Sequence, residues 1–83
     1  MQEELLLPRI TELCQKLFDQ MPEADTFTLD TSFVDDLGLE SLDRIDLIMA
    51  CETTFGIKVN MEEAKNLTTI RDLCKYIVQC KAE

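Results

Sequence analysis

Apolar residues fall at Ile10, Leu13, Cys14, Leu17 and Met21. Steps of three and four are the period of a helix with one face turned to a core. They predict a first helix from about Leu7 to Gln20, with Pro8 in its first turn, where a missing N–H costs nothing. From Met21 to Leu39 the period is lost. Pro22 and the run DTFTLDTSF carry no helical stripe, yet Phe27, Leu29, Phe33, Val34 and Leu37 are too apolar for a free loop. The pattern predicts a long connection pinned down by buried side chains, a length that in a compact domain often accompanies function. Gly38 suits the positive-φ turn that would end it.

A second helix is predicted from about Ser41 to Phe55, stopped by Gly56. Ile57–Lys58–Val59 reads as a short extended link. Asn60 with Glu63 has the spacing of a capping box for one or two turns over Met61–Lys65. Thr69 with Asp72 forms a second box. It opens a last helix with Ile70, Leu73, Cys74 and Ile77 on one face, fraying near Lys81. The expected fold is all-α: a small bundle of three main helices plus one short helix, in a single domain over residues 1–83.

The second helix departs from the pattern of a core helix, which should show one apolar stripe. Leu47, Ala50, Cys51, Thr54 and Phe55, with Ile48 beside them, make one face. Leu42, Ile45 and Met49 make another, edged by Glu40, Asp43, Asp46 and Glu52. Unpaired acids resist burial. The second stripe is therefore expected at the surface, an apolar centre with a negative rim, which is the anatomy of an interface.

Charge sharpens that picture. Seventeen acids against eight bases leave a formal charge of −9. Such a balance disfavours nucleic acid, whose phosphates are met by Lys and Arg, and anionic membrane surfaces. It favours basic protein partners found by electrostatic steering. Cys14, Cys51, Cys74 and Cys80 show no CxxC spacing and there is no histidine, so no metal site is expected. Cys14, Cys51 and Cys74 sit among apolar neighbours and read as small buried hydrophobes. MQEELLLPRI lacks the basic start and long apolar core of a secretion signal. No segment is long enough to span a membrane. A reduced, cytoplasmic protein is the expectation.

Ser41 precedes the periodic run of the second helix, and serine is a favoured N-cap. As an enzyme's own nucleophile it would need a base, and the chain has no histidine and no G-x-S-x-G elbow. No catalytic residue is assigned. A third role is modification by another enzyme. A phosphate-linked group on Ser41 would sit at the positive end of the helix dipole, opposed in part by Glu40 and Asp43.

Leu37-Gly38-Leu39-Glu40-Ser41-Leu42, preceded by Phe33-Val34-Asp35-Asp36, resembles the phosphopantetheine attachment motif of acyl carrier proteins, roughly F-x-x-D-L-G-x-D-S-L. The likeness extends through Asp46-Leu47-Ile48-Met49, Phe55-Gly56-Ile57, Glu62-Glu63-Ala64, Leu67-Thr68-Thr69-Ile70 and Tyr76-Ile77. It covers nearly the whole chain, the first helix matching in pattern only. The resemblance implies an acyl carrier protein-like bundle with a long ordered first loop. It implies that a phosphopantetheinyl transferase attaches 4'-phosphopantetheine from coenzyme A to Ser41. It implies that acyl groups ride on that arm as thioesters and are presented to acyl-transferring and chain-extending enzymes with basic docking patches. Those enzymes belong to fatty-acid, lipid or polyketide-like synthesis, and the carrier itself is a monomer and not a catalyst. The docking residues would be Glu40, Leu42, Asp43, Ile45, Asp46, Met49 and Glu52.

The chain departs from the family pattern at Glu40, where aspartate is usual, at Arg44, which adds a cation to the second helix, and at Thr53 and Thr54, often acidic in the fatty-acid carriers. These weaken the negative surface toward the C-terminal end of the helix and make a specialised carrier for a dedicated lipid or polyketide-like pathway at least as plausible as a housekeeping fatty-acid carrier. Two other readings compete. One is an unmodified acidic interaction module in which Ser41 is only a helix N-cap. The other is a divalent-cation-binding protein using Asp25, Asp30, Asp35 and Asp36, although no D-x-[DN]-x-[DN]-G pattern is present.

Overall fold

The structure is a computed structural model that describes residues 3–19 and 21–82. Four α-helices follow one another: α1 (Glu3–Leu17), α2 (Ser41–Phe55), α3 (Met61–Ala64) and α4 (Ile70–Ala82), with a short 3-10 turn at Ala24–Thr26. The expected small helical bundle is what the chain forms. α1 packs against both α2 and α4. Leu6, Ile10 and Cys14 of α1 meet Leu47, Ile48, Cys51 and Phe55 of α2 and Ile70, Leu73, Cys74 and Ile77 of α4 in one core. Each helix thus turns a single apolar stripe inward.

α1 begins earlier than its periodicity suggests, so Pro8 lies inside the helix and not in its first turn. The ring removes the N–H that would answer the carbonyl of Glu4. Glu4, Leu5 and Pro8 itself are exposed on this side of the helix. Leu6, fully buried, extends the stripe N-terminally. The helix ends at Leu17; Gln20, its expected end, lies outside the described residues. Arg9 caps the helix-facing surface of Phe55, its guanidinium carbon 4.7 Å from the ring centre.

The connection from α1 to α2 is ordered, and its apolar residues explain why. Phe27, Phe33, Leu37 and Leu39 are buried in the core. Val34, read as too apolar for a loop, is instead exposed, because the turn that buries Phe33 and Leu37 points it outward. The same segment serves the start of α4. The N–H groups of Ile70 and Arg71, which have no partner within their own helix, donate to the carbonyls of Thr31 (3.0 Å) and Leu29 (2.7 Å). Phe33 N–H donates in turn to Thr68 O at 3.0 Å. Ser32 and Thr69 thereby form an isolated antiparallel bridge. Arg71 adds side-chain bonds to Asp30, 3.2 Å from both Nε and Nη2, and lies 3.9 Å from Glu3.

Of the two capping boxes expected, that at Thr69 and Asp72 forms. Thr69 Oγ1 accepts from Asp72 N–H at 3.3 Å, and Asp72 Oδ2 accepts from Thr69 N–H at 3.3 Å and Thr68 N–H at 3.1 Å. The box at Asn60 is half made. Asn60 Oδ1 accepts from Glu62 N–H at 2.8 Å, but the N–H of Asn60 donates to the Tyr76 hydroxyl at 3.1 Å and not to Glu63. The partner of the Asn60 N–H thus comes from α4 and not from α3. No helix among the described residues is long and apolar enough to cross a membrane.

Partial burial pushes the Asp72 carboxyl up, but the hydrogen bonds from Thr68 and Thr69 outweigh it and hold the group below the usual aspartate value of 3.8. A carboxyl lowered in the folded state contributes stability above its unfolded pKa and loses it as pH falls through the folded pKa. Asp72→Asn should therefore cost about 1 kcal/mol at neutral pH, and the gap to wild type should close as the solution is acidified below about pH 4. Urea denaturation across that range measures it; a gap independent of pH would refute the ionic cap.

Candidate functional site

The chain approaches α2 through a compact turn. Asp36 and Leu37 N–H groups both donate to Ser32 O at 3.1 Å, Gly38 N–H to Val34 O at 3.1 Å and Leu39 N–H to Phe33 O at 2.9 Å. Asp36 Oδ2 accepts from Ser32 N–H at 2.7 Å and locks the same turn from its side chain. Gly38 takes φ +66° with open space where a Cβ would stand, so backbone conformation and not room demands glycine. With Leu37 and Leu39 buried on either side of it, the next residues, Glu40 and Ser41, are forced to the surface.

Ser41 is not the N-cap. Glu40 holds the extended cap position and Ser41 is the first residue of the helix. Asp43 Oδ2 accepts from Glu40 N–H at 3.1 Å, so the cap is fastened from within α2. The Ser41 hydroxyl is therefore released from capping. It is exposed and has no hydrogen-bond partner among the described residues. A serine that served only as a cap would place its oxygen on a backbone N–H; this one presents it to solvent.

Ser41 also stands at one end of an apolar cleft of about 400 Å³ between α2 and α3. Ile45 and Ile48 form one wall, Met61 and Ala64 the other, with Arg44 and Lys65 at its edges. The α3 wall escaped sequence reading, although Met61, Ala64 and Lys65 at steps of three and one are an apolar edge flanked by charge. An exposed hydroxyl opening onto an apolar groove suits a flexible arm with an apolar cargo. The residues present fit a phosphopantetheine group.

The two stripes of α2 separate as expected. Leu47, Ile48, Cys51 and Phe55 are buried, whereas Leu42 is 74%, Met49 53% and Ile45 39% exposed. Thr54, placed on the inner face by its spacing, is exposed; α2 ends at Phe55 and Gly56. The acidic rim is less uniform than it looks. Glu40 and Asp46 are exposed and Asp43 is half-buried beside its cap bond. Glu52 turns away to accept from Val59 N–H at 2.9 Å, holding the Ile57–Val59 link against α2. Its position as an interface residue is thus shared with a structural one.

The acids considered for cation binding are dispersed among turns. Asp30 pairs with Arg71 and Asp36 holds the turn at Ser32. Among the described residues no three acids or cysteines converge as metal ligands. Cys14, Cys51 and Cys74 are buried, and desolvation pushes their thiols up to about 11, 12 and 11. They stay protonated at neutral pH and behave as small apolar side chains.

The phosphopantetheine attachment site family matches residues 8–77. An acyl carrier protein of Onion yellows phytoplasma (strain OY-M) is 44% identical over 57 residues, 69% of this chain and 75% of the relative. The solved structure of an acyl carrier protein from Enterococcus faecalis superposes with a TM-score of 0.76 at 28% identity, across 96% of this chain and 99% of that one.

The exposure of the outer stripe has a measurable consequence. Met49→Ser should change stability by no more than about 0.5 kcal/mol, whereas Leu47→Ala, two residues away and fully buried, should cost about 2–5 kcal/mol. Chemical denaturation of the two variants decides between one buried face and two; comparable losses would mean that both stripes are core.

Proposed function

The chain belongs to the phosphopantetheine-attachment family of acyl carrier proteins, and on that premise we propose that it carries its arm on Ser41. Membership brings a covalently attached 4'-phosphopantetheine, which when bound supplies a terminal thiol on which acyl groups are held as thioesters. The observation that carries the assignment to Ser41 is its exposed, uncommitted hydroxyl at the mouth of an apolar cleft.

The chain's own residues divide the remaining work. The Phe33–Leu39 turn holds Ser41 at the surface in a fixed place. No histidine exists to deprotonate it, so activation of the hydroxyl falls to the separate phosphopantetheinyl transferase. The protein is then a tether and not a catalyst. Ile45, Ile48, Met61 and Ala64 offer apolar shelter to a short acyl chain. Leu42, Ile45 and Met49, rimmed by Glu40, Asp43 and Asp46 and in part Glu52, form the docking face. A carrier has to visit several enzymes and leave each one. Charge steering quickens encounter without demanding a large, tight interface, and tethering raises the concentration of cargo at each active site. The partners are acyl-transferring and chain-extending enzymes of fatty-acid, lipid or polyketide-like synthesis, met in the cytoplasm by a single monomeric carrier domain. Arg44, Thr53 and Thr54 thin the negative charge along α2 and favour a dedicated pathway over a general one.

Intact mass measured before and after incubation with coenzyme A, Mg²⁺ and a phosphopantetheinyl transferase should show one added phosphopantetheine on wild type and none on Ser41→Ala. Because Ser41 is not the cap, Ser41→Ala should fold with stability within about 0.5 kcal/mol of wild type. Label taken up by Ser41→Ala would overturn the assignment. Asp46 makes no structural bond among the described residues, so Asp46→Lys tests docking cleanly: modification by the transferase should slow at low ionic strength and recover relative to wild type in high salt. Equal rates at low salt would exclude Asp46 from the docking face.

A further inference from the structure

Arg44 lies one turn beyond Ser41 on α2, and the two residues line the same cleft. Helical side chains lean toward the N-terminus of their helix, so Arg44 covers the turn that carries Ser41. Its surroundings are unusual for a cation. The side chain is half-buried. It borders the open cleft and also a small pocket of about 10 Å³ lined by Phe33, Leu47, Ile48, Leu67 and Leu73. Arg44 and Ile48 are thus common to the walls of both. Its Nε is sealed from solvent with no hydrogen-bond partner. No carboxylate pairs with it among the described residues.

An unmet N–H donor in an apolar wall is costly, and a nearby anion removes that cost through a charge-assisted bond. Glu40 and Asp43 stand at the same turn, and both would repel a phosphate unless a cation offset them. Arginine presents two N–H groups in a fork that matches two phosphate oxygens. We infer that Arg44 positions the prosthetic arm: when Ser41 carries its phosphodiester, the guanidinium turns onto that phosphate and withdraws from the walls of cleft and inner pocket. This rests on the assignment of the arm to Ser41. Two effects follow from one movement. The arm is held at the mouth of the cleft, and the inner pocket, now little more than one water wide, opens into it. The unmodified protein keeps its core closed; the loaded one gains apolar depth beside the cargo.

The test follows the arginine itself. Wild type is loaded, the single arm is confirmed by mass, and the arginine Nε–H signals are recorded by ¹H–¹⁵N NMR before and after loading. Arg44→Lys identifies the Arg44 signal by removing it while keeping the charge. On loading, that signal should move downfield and exchange more slowly with water, while those of Arg9 and Arg71 stay in place. The phosphorus signal of the arm should differ between wild type and Arg44→Gln, and should match wild type in Lys75→Gln, which alters an exposed cation on α4. An unmoved Arg44 Nε–H, or a phosphorus signal identical in wild type and Arg44→Gln, overturns the inference while leaving Ser41 as the attachment site. Failure of wild type to gain any mass overturns the assignment of Ser41 and this inference with it.

Discussion

Burial of the first connection is the constraint on which the molecule depends. A chain this short has little core to spare, and Phe27, Phe33, Leu37 and Leu39 supply a large part of it from outside any helix. Their burial draws the backbone of Leu29, Thr31 and Phe33 against the start of α4, where it answers N–H groups that the helix cannot satisfy. Loop and helix therefore order each other. The last product of that order is the position of Ser41, set by the turn between Leu37 and Leu39 and by a glycine with positive φ. The residue proposed to carry the arm is held by hydrogen-bonded backbone on its N-terminal side and exposed in its side chain.

α2 resolves a conflict between folding and encounter. A helix in a small bundle is under pressure to bury every apolar residue it has. This one leaves Leu42, Ile45 and Met49 outside and gives their neighbours charge. The outer stripe contributes little to stability, so it is free to be shaped by partners. The inner stripe fixes the helix, so the outer one is displayed in a constant orientation. A rigid element with an uncommitted face is what repeated, brief docking requires.

Much of this was legible in the sequence, because helical periodicity and the turn motif are local signals. The three main helices, the short fourth, the ordered connection, the two faces of α2 and the buried cysteines all follow from spacing. What escaped depended on contacts between distant segments. Pro8 falls inside α1 because the helix starts earlier, with Leu6 buried against the other helices. Asn60 loses Glu63 as its capping partner to Tyr76, which arrives from another helix. The cap of α2 moved from Ser41 to Glu40 because buried Leu39 determines where the extended backbone ends. The cleft opposite α2 needed α3 to be placed before its walls could be seen.

The distribution of acids carries a last distinction. A charge of −9 suggests one large negative surface, but the acids are not equivalent. Asp36, Asp43, Glu52 and Asp72 each accept from a backbone N–H, and Asp30 pairs with Arg71. These charges close turns and helix ends, and Asp43 and Asp72 do so in the first turns of α2 and α4, where the helix dipole stabilises an anion. Glu40 and Asp46 are exposed on the face around Ser41. Net charge alone thus overstates the field a partner meets at the arm. On the proposed docking face the exposed negative charge is that of Glu40 and Asp46, beside Leu42 and Ile45, and Arg44 lies among them. Half-buried in the cleft wall, this cation offsets the negative rim less than one facing outward would, and it stands beside the residue proposed to carry the arm.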